Sequence, residues 1–401
     1  MLRKDFILCK TRDLLDEFTA PIITNADKAR QKFLRQAVAA ILLSGSLVVT
    51  EFARWIHDDC TDIFHRLKRL LNNLVSPHGS LTVMVNAYRQ LVAKYIQPDI
   101  PIIIDLTDLA KPRARKMKYL ALVRDGSEHK LVPGYWCVEV YAYLNKKRIL
   151  PLSLDVFSIE DPTIGSQNLQ IDRTVKAVNK ALEGKGIWIA DRGFDGLNCY
   201  ETWFSEKCHF VVRQRGDRFV VLHNGVRVIQ TDLVEHLRQK QIGVNLSGDI
   251  VFGKVRLPDN PRDLYIVASW LPGIEEPLIL LTTLVVENIE HAKQIVRYYK
   301  KRWTCEETSR FLKSRVGFER FRIRRYEAIQ RLAILAMIAM GFLSWIFLRS
   351  KRLVEGLFGF TSRFRKESKF AYYRLLDGLQ SLARLYQLYI VGTCIKPLKN
   401  G

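Results

Sequence analysis

Two short apolar runs, each closed by an aspartate, constrain the fold of this chain more than any other feature. The first is "IPIIID", which ends at Asp105, and the second is "IWIAD", which ends at Asp191. Short runs of β-branched and other apolar residues are typical of strands that are buried on both faces. The patterns around them run in the order of three strands, a helix, a strand, a helix and a strand. This order predicts a mixed α/β layer and not a simple βα repeat.

Changes in residue pattern predict five regions: a helical region at 1–98, the first part of the core at 99–215, a β-rich insertion at 216–285, the second part of the core at 286–348, and a helical C-terminal region at 349–401. In the first region, a basic helix bearing Arg66, Lys68 and Arg69 follows a short helix, which is compatible with a helix-turn-helix. An ordinary amphipathic helix pair fits the same pattern, so both interpretations stay open.

Net charge limits the class of partner. The 401 residues include 63 Lys and Arg against 41 Asp and Glu, which gives a formal charge of +22. A surplus of this size favours nucleic acid or an anionic membrane surface over a small acidic substrate. The seven cysteines form no Cys-x-x-Cys pair, so they predict a reducing, cytoplasmic setting without a disulfide framework.

A charge-free run of seventeen residues, 332–348, could be mistaken for a membrane span. A span needs about 20 apolar residues, and nothing else in the chain resembles a second one. We therefore expect a helix that is buried in the core or in a subunit interface. A cationic membrane-associated protein anchored by this run is the alternative from a different functional class.

The stretch "YYKKRWTCEETSRFLK", residues 298–313, predicts a basic stripe along a helix. At about 100° per residue, four side chains fall within roughly 40° of Glu306: Tyr299, Arg302, Arg310 and Lys313. Glu307 points about 100° away from that face. Such a stripe suits a polyanion, with Glu306 holding a divalent cation against it. A solvated salt-bridge face is the alternative.

Three carboxylates are candidates for a metal site. Asp105 and Asp191 each end an apolar strand, where a carboxylate is costly unless it is paired or bound to a metal. With Glu306 they would form an oxygen-only cluster, which suits Mg²⁺, with Mn²⁺ as a substitute. Two such ions could activate a nucleophile and stabilise the leaving oxygen of a phosphoryl transfer. The histidines lack metal-ligand spacing, and no glycine-rich phosphate loop is present.

On three motifs, the sequence resembles the DDE transposases of bacterial insertion sequences, in the insertion-sequence-four-like branch. The signature of that branch is Tyr, two residues, Arg, three residues, Glu, six residues, Lys, and it matches at every spacing from Tyr299 to Lys313. Asp105 with Thr107 matches the first family motif, and "DRGF", which begins at Asp191, matches the second. With the β-rich insertion, the resemblance covers roughly residues 100–345.

The resemblance implies a ribonuclease-H-like α/β core with a β-rich insertion, flanked by helical regions at both ends. It also implies that the helical region at 1–98 is a DNA-binding region that recognises the element's ends. It implies that Asp105, Asp191 and Glu306 bind Mg²⁺ and catalyse cleavage at the element ends, followed by strand transfer to target DNA. The expected partners are the double-stranded inverted-repeat ends, the target DNA and a second copy in a DNA-bound homodimer. We expect a cytoplasmic, nucleoid-associated protein of a prokaryote, without a membrane partner. A catalytically silent descendant that only binds DNA is the alternative.

The side chains expected to contact DNA lie around these motifs: Tyr299, Arg302, Arg310, Lys313, Arg192, Lys111, Trp303, Arg322, Arg324 and Arg325. The alternating charges of residues 320–325 predict a DNA-facing edge. For Lys111, Arg192 and Arg310, a solvated position is an equal alternative.

A tryptophan that stacks on a flipped base is a further feature of some related transposases. Some relatives place a tryptophan in the segment that here reads "PLILLTT", to stack on a flipped base during hairpin formation. In this chain Trp270 or Trp303 would have to serve, unless no hairpin is formed.

Two aspartates lie close to the motif aspartates in sequence. Asp108 is expected to point away from the side of the strand that bears Asp105. Asp195 is expected to cap the following helix.

Overall fold

The computed structural model describes residues 4–24, 26–57, 62–76, 81–126, 130–146, 148–242, 249–270, 273–362, 367–391 and 394–397. Its helices are α1 Lys4–Ile23, α2 Lys28–Ser44, α3 Val49–Trp55, α4 Ile63–Val75, α5 Leu81–Ala93, α6 Gln167–Leu182, α7 Leu197–Ser205, α8 Gln230–Ile242, α9 Ile289–Lys300, α10 Trp303–Phe311, α11 Tyr326–Arg349, α12 Lys351–Gly359 and α13 Ala371–Leu385. Its strands are β1 Ile56–His57, β2 Pro101–Ala110, β3 Ala121–Arg124, β4 Leu131–Asn145, β5 Arg148–Phe157, β6 Ile187–Ala190, β7 His209–Arg213, β8 Phe219–Val221, β9 Arg227–Ile229, β10 Ile250–Val255, β11 Leu264–Ser269, β12 Leu278–Thr282, β13 Leu388–Val391 and β14 Cys394–Pro397.

The chain forms two compact units. The first unit consists of Met1–Tyr95, Leu106–Gln170 and Glu306–Gly401, and the second consists of Ile96–Asp105 and Ile171–Cys305. Strand β2 and helices α6 and α10 each contribute residues to both units, because the chain passes from one to the other within them.

The sheet of the second unit carries both aspartate runs. Its strand order is β10-β11-β12-β7-β6-β2, with β2, β6 and β7 parallel and the other pairs antiparallel. Helix α7 connects β6 to β7, as a parallel pair requires. Ile104 and Ala190 form the last pair between β2 and β6. Asp105 and Asp191 are therefore the next residues on neighbouring parallel strands, although β2 itself continues to Ala110.

The region at 216–285 contains a helix that the sequence pattern did not predict. Strands β8 and β9 form a hairpin, and β10 to β12 extend the sheet antiparallel to β7. Helix α8 lies between these groups and packs against β10. Only Gln230, Leu233 and Val234 of α8 are buried, so its apolar face is too short to give a clear helical period.

In the first unit, residues 106–110 of β2 lie beside β4, which pairs antiparallel with β3 and β5. Helix α11 packs against β5, α2 and α4. It is long and apolar enough to cross a membrane, as is the bent α2–α3 pair, but 83% of its most apolar window is buried inside the protein. The prediction of a buried core helix at 332–348 is therefore confirmed.

Helices from both ends of the chain pack together in the first unit. Helix α2 contacts α11 and α13, and α1 contacts α5 and α12. The C-terminal region also contains strands, because β13 pairs parallel with β1 and antiparallel with β14. The mixed α/β core with helical regions at both ends is the ribonuclease-H-like fold class that the sequence predicts.

Candidate active site

Asp105 and Asp191 share one guanidinium group in the second unit. Nη1 of Arg302 lies 3.3 Å from Oδ2 of Asp105, and Nη2 lies 3.9 Å from Oδ2 of Asp191. The side chain of Arg302 is 9% exposed, and those of the two aspartates are 26% and 29% exposed. A partly buried carboxylate needs such a positive partner, because its charge has lost much of its hydration.

Asp191 has further partners that fix its orientation. The hydroxyl of Tyr299 donates a hydrogen bond of 3.0 Å to Oδ1 of Asp191, and the backbone N–H of Arg192 donates one of 2.8 Å. Nη1 of Arg213 lies 3.9 Å from the same oxygen. Burial and the charge of Asp191 raise the pKa of Tyr299 to about 12, so the phenol keeps its proton and remains a donor. The carboxylate also caps the 3₁₀ turn Arg192–Phe194.

The stretch predicted as one helix, residues 298–313, is interrupted. Lys301 and Arg302 separate α9 from α10, and their amides bond to carbonyls three residues back, as in a 3₁₀ turn. Helix α10 then leads into the π-helical turn Leu312–Val316. Both changes alter the 100° step, so the prediction of a single continuous stripe is wrong.

Glu306 lies in the first turn of α10 and lines a cavity of 640 Å³ in the first unit. Asp108 and Lys313 line the same cavity, and Nζ of Lys313 lies 3.4 Å from Oδ1 of Asp108 and 3.0 Å from Oε1 of Glu319. Burial opposes the charge of Lys313, but Glu319 and Asp108 raise its pKa above the usual value. The ammonium group therefore persists at neutral pH and is held by two carboxylates.

A buried contact anchors α10 behind this cavity. Glu139 on β4 is fully buried, and it accepts a short hydrogen bond from the hydroxyl of Ser309. Ser309 follows Glu306 by three residues, so both lie near one face of the helix. The contact therefore fixes the helical turn that carries Glu306.

Six of the side chains expected to contact DNA are exposed: Arg192, Trp303, Arg310, Arg322, Arg324 and Arg325. Arg310 forms an ion pair with Glu307 on the surface. The ring of Trp303 is 58% exposed, whereas Trp270 is 8% exposed and lies under the guanidinium of Arg238, 4.4 Å away. Of the two tryptophans, Trp303 is therefore the one whose ring a base could reach.

Lys111 differs from the expectation of a DNA contact. It is 7% exposed, and its Nζ donates to the backbone carbonyls of Glu319 and Phe321 and lies 3.4 Å from the centre of the Phe321 ring. Burial lowers the pKa of Lys111 to about 7. Arg302 was also expected to contact phosphate, but it faces inward and pairs with Asp105. Burial next to these partners, which are distant in sequence, could not be read from the local pattern.

Asp195 has a role that sequence reasoning missed. Helix α7 has no side-chain cap; instead the carboxylate of Asp195 accepts hydrogen bonds of 3.1 Å from the Tyr200 hydroxyl, the Arg215 amide and Nε of Arg218. Its side chain is 1% exposed. Asp195 therefore ties the turn after Asp191 to the chain that follows β7.

The donor chemistry of the two aspartates fits a hard divalent cation. Mg²⁺ in proteins is usually held by one or two carboxylates, with water and substrate phosphate completing its shell. Asp105 and Asp191 present oxygen atoms that are close enough to share Arg302. Within the described ranges of the chain, no three His, Cys, Asp or Glu side chains are grouped as a metal site.

Comparison with known proteins identifies the family. A family model of the transposase DDE domain matches residues 101–342, which is more than half of the chain. A cryo-EM structure of the piggyBac transposase synaptic complex with hairpin DNA is similar at 12% identity and a TM-score of 0.48, over 94% of this chain and 78% of that chain. No curated protein matches the sequence. The chain belongs to the transposase DDE domain family.

Proposed function

We propose that this chain is a DNA transposase of the insertion-sequence-four-like branch, which cleaves DNA at the ends of its element and joins them to target DNA. The observation that supports this most is the contact between motifs. Tyr299 of the third motif donates a hydrogen bond to Asp191, and Arg302 of the same motif forms ion pairs with Asp105 and Asp191. Residues of all three sequence motifs that are far apart in the chain therefore contact one another, which supports a shared site.

The proposed metal ligands are Asp105, Asp191 and Glu306, with Mg²⁺ as the cofactor and Mn²⁺ as a substitute. When bound, two such ions activate the attacking water or 3′-hydroxyl and stabilise the leaving oxygen. Arg302 balances the charge of the two aspartates and holds their side chains in place before substrate binds. Its planar fork would also suit a phosphate in two hydrogen bonds.

The proposed partners follow from the same chemistry. The protein would bind the double-stranded inverted-repeat ends of its element and a target duplex, and it would act on two ends as a homodimer. Its net charge of +22 supports a polyanionic partner of this kind. We propose a cytoplasmic protein associated with the nucleoid of a prokaryote.

A cleavage assay tests the assignment of the carboxylates. The substrate is a duplex that carries the inverted repeats found by sequencing the DNA around the coding region. Asp105→Asn, Asp191→Asn and Glu306→Gln should each abolish Mg²⁺-dependent cleavage while the variants still retard end DNA in a gel. Near-normal cleavage by the Glu306→Gln protein would remove Glu306 from the site.

Glu307→Gln is the matched control in that assay. Glu307 is adjacent to Glu306 and pairs with the exposed Arg310, so its loss should leave cleavage close to the wild-type rate. If the wild-type protein binds end DNA without cleaving it in Mg²⁺ or Mn²⁺, the chain is instead a catalytically silent DNA-binding descendant of a transposase.

A further inference from the structure

A second cavity of the first unit is strongly basic. It has a volume of 760 Å³, and its walls include residues 110–117 and 319–322 together with Arg324. Seven basic side chains line it: Lys111, Arg113, Arg115, Lys116, Arg320, Arg322 and Arg324. Among the residues that the structure describes, two carboxylates, Glu51 and Glu319, line it with them. One of these, Glu319, is already engaged by Lys313.

Six of the cations, all except the buried Lys111, are exposed. In the part of the chain that the structure describes, none of the six forms an ion pair with a carboxylate. The cations near the candidate catalytic residues differ, because Arg302 and Lys313 each pair with two carboxylates. Like charges gathered without counter-charges repel one another, and a bound polyanion removes that cost.

Residues 319–324 form one wall of the cavity, which we call the arginine wall. It has no regular secondary structure, but its backbone carbonyls accept hydrogen bonds from the opposite wall. Nζ of Lys111 donates to the carbonyls of Glu319 and Phe321. Farther along, the amide of Lys118 donates a hydrogen bond of 3.0 Å to the carbonyl of Arg324. The arginine wall is thus fixed at two points before any ligand binds, which reduces the entropy lost on binding.

We propose that this cavity, which we call the basic groove, binds the sugar-phosphate backbone of duplex DNA away from the reacting bond. Arg320 and Glu319 line both the basic groove and the cavity of Glu306, so DNA held in the groove continues toward that carboxylate. Arginine pairs suit phosphate because each guanidinium donates two parallel hydrogen bonds. Contacts of this kind fix the register of the duplex and carry no base specificity. The inference rests on the proposed function, since it supplies that function with a path for DNA.

Salt dependence of binding tests the groove. The full-length protein is titrated against a duplex of unrelated sequence in roughly 50 to 200 mM salt. Each lost phosphate contact should lower the slope of log Kd against log salt by about 0.9. The test variant carries Arg113→Ala, Arg115→Ala, Arg322→Ala and Arg324→Ala. We expect its slope to fall by about 3 to 4 and its affinity to fall at least about tenfold.

Two further variants keep the result decisive. The matched control replaces four exposed lysines outside the groove with alanine: Lys94, Lys180, Lys207 and Lys240. It should retain most of the wild-type slope. A variant with lysine at the same four groove positions should also retain the slope, because counterion release depends on charge. Melting temperatures show whether each variant is folded.

The possible outcomes separate this inference from the proposed function. An unchanged slope in a folded alanine variant, or an equal loss in the control, overturns the basic groove even if the wild-type protein cleaves end DNA. A wild-type protein that never cleaves, but whose slope falls only in the groove variant, overturns the proposed function and leaves the groove standing.

Discussion

Arg302 is the single residue whose surroundings most change the picture drawn from the sequence. The pattern placed it on a stripe that faces phosphate, and the structure pairs it with Asp105 and Asp191. Its guanidinium balances the charge of the two carboxylates, as a divalent cation held by the same two residues would. The effect of a metal on the stability of a variant that lacks this guanidinium therefore tests whether the two aspartates bind a metal.

Replacing Arg302 with alanine should destabilise the protein more without metal than with it. Removal of the guanidinium leaves two partly buried carboxylates without their shared positive partner, which should cost about 1–3 kcal/mol. Millimolar Mg²⁺ should restore much of that loss if Asp105 and Asp191 form its site. The measurement is the melting temperature of wild type and variant, each with Mg²⁺ and with a chelator.

Arg310→Ala provides the control for that comparison. Arg310 is exposed and pairs with Glu307, and an exposed ion pair contributes less than about 1 kcal/mol. Its melting temperature should stay close to that of the wild type under both conditions. A destabilisation of Arg302→Ala that does not depend on Mg²⁺ would contradict a metal site at the two aspartates.

Lys111 should make the stability of the protein depend on pH. Burial lowers its pKa from 10.5 to about 7 in the folded state, so the unfolded chain binds more protons between these values. The free energy of unfolding therefore rises with pH above about 7, and the burial penalty is fully present below it. Relative to Lys111→Met, which cannot titrate, wild type should gain about 2–3 kcal/mol between pH 7 and 9.

Denaturant unfolding of the two proteins at several pH values measures this difference. Other titrating groups cancel in the comparison, since both proteins contain them. Below about pH 7 the difference should be constant. A difference that stays flat up to pH 9 would mean that Lys111 is not held uncharged by its burial among Glu319 and Phe321.

At the scale of secondary-structure elements, the local residue pattern predicted the buried strands that carry the two aspartates. The runs ending at Asp105 and Asp191 form strands β2 and β6, whose β-branched residues suit a sheet that is buried on both faces. The interruption around Arg302 was not predictable, because the residue pattern of 298–313 also fits a single continuous helix. What holds Arg302 in place is its pairing with two aspartates, and such contacts leave no periodic signal in the sequence.

Helix α11 shows how an apolar element can be fixed in the core by one small residue. A Cβ atom on Gly341 would lie within 3.0 Å of the ring and hydroxyl of Tyr88 on α5. Tyr88 cannot retreat easily, because it is fully buried and its hydroxyl donates a hydrogen bond of 2.6 Å to the carbonyl of Pro151. Glycine at this position therefore allows α5, α11 and β5 to meet.

Gly341→Ala should lower the free energy of unfolding by about 1–3 kcal/mol, as overpacking of a filled core does. Gly359→Ala is the control, since a Cβ atom there meets nothing within 4 Å. The control should be neutral or slightly stabilising, because alanine favours a helix over glycine. Chemical denaturation of both variants checks the difference, and a stable Gly341→Ala protein would show that Tyr88 can move.

At the scale of the whole molecule, charge and burial decide between the two kinds of polyanionic surface. The chain carries +22, which would suit DNA or an anionic membrane. Its most apolar helix, α11, has 83% of its apolar window buried among other elements. Embedding that helix in lipid would require the surrounding contacts with β5, α2 and α4 to open. The charge is therefore expected to act on nucleic acid.

Fractionation of a cell lysate tests this expectation. At low ionic strength the protein should sediment with DNA, and it should move to the supernatant in about 1 M salt, where the Debye length is about 3 Å. Nuclease digestion at low salt should release it equally well, because digestion destroys the polyanion to which the cations of the protein are bound. A membrane anchor would resist both treatments and require detergent. Retention in the pellet after salt and nuclease would therefore place α11 in lipid and contradict its position in the core.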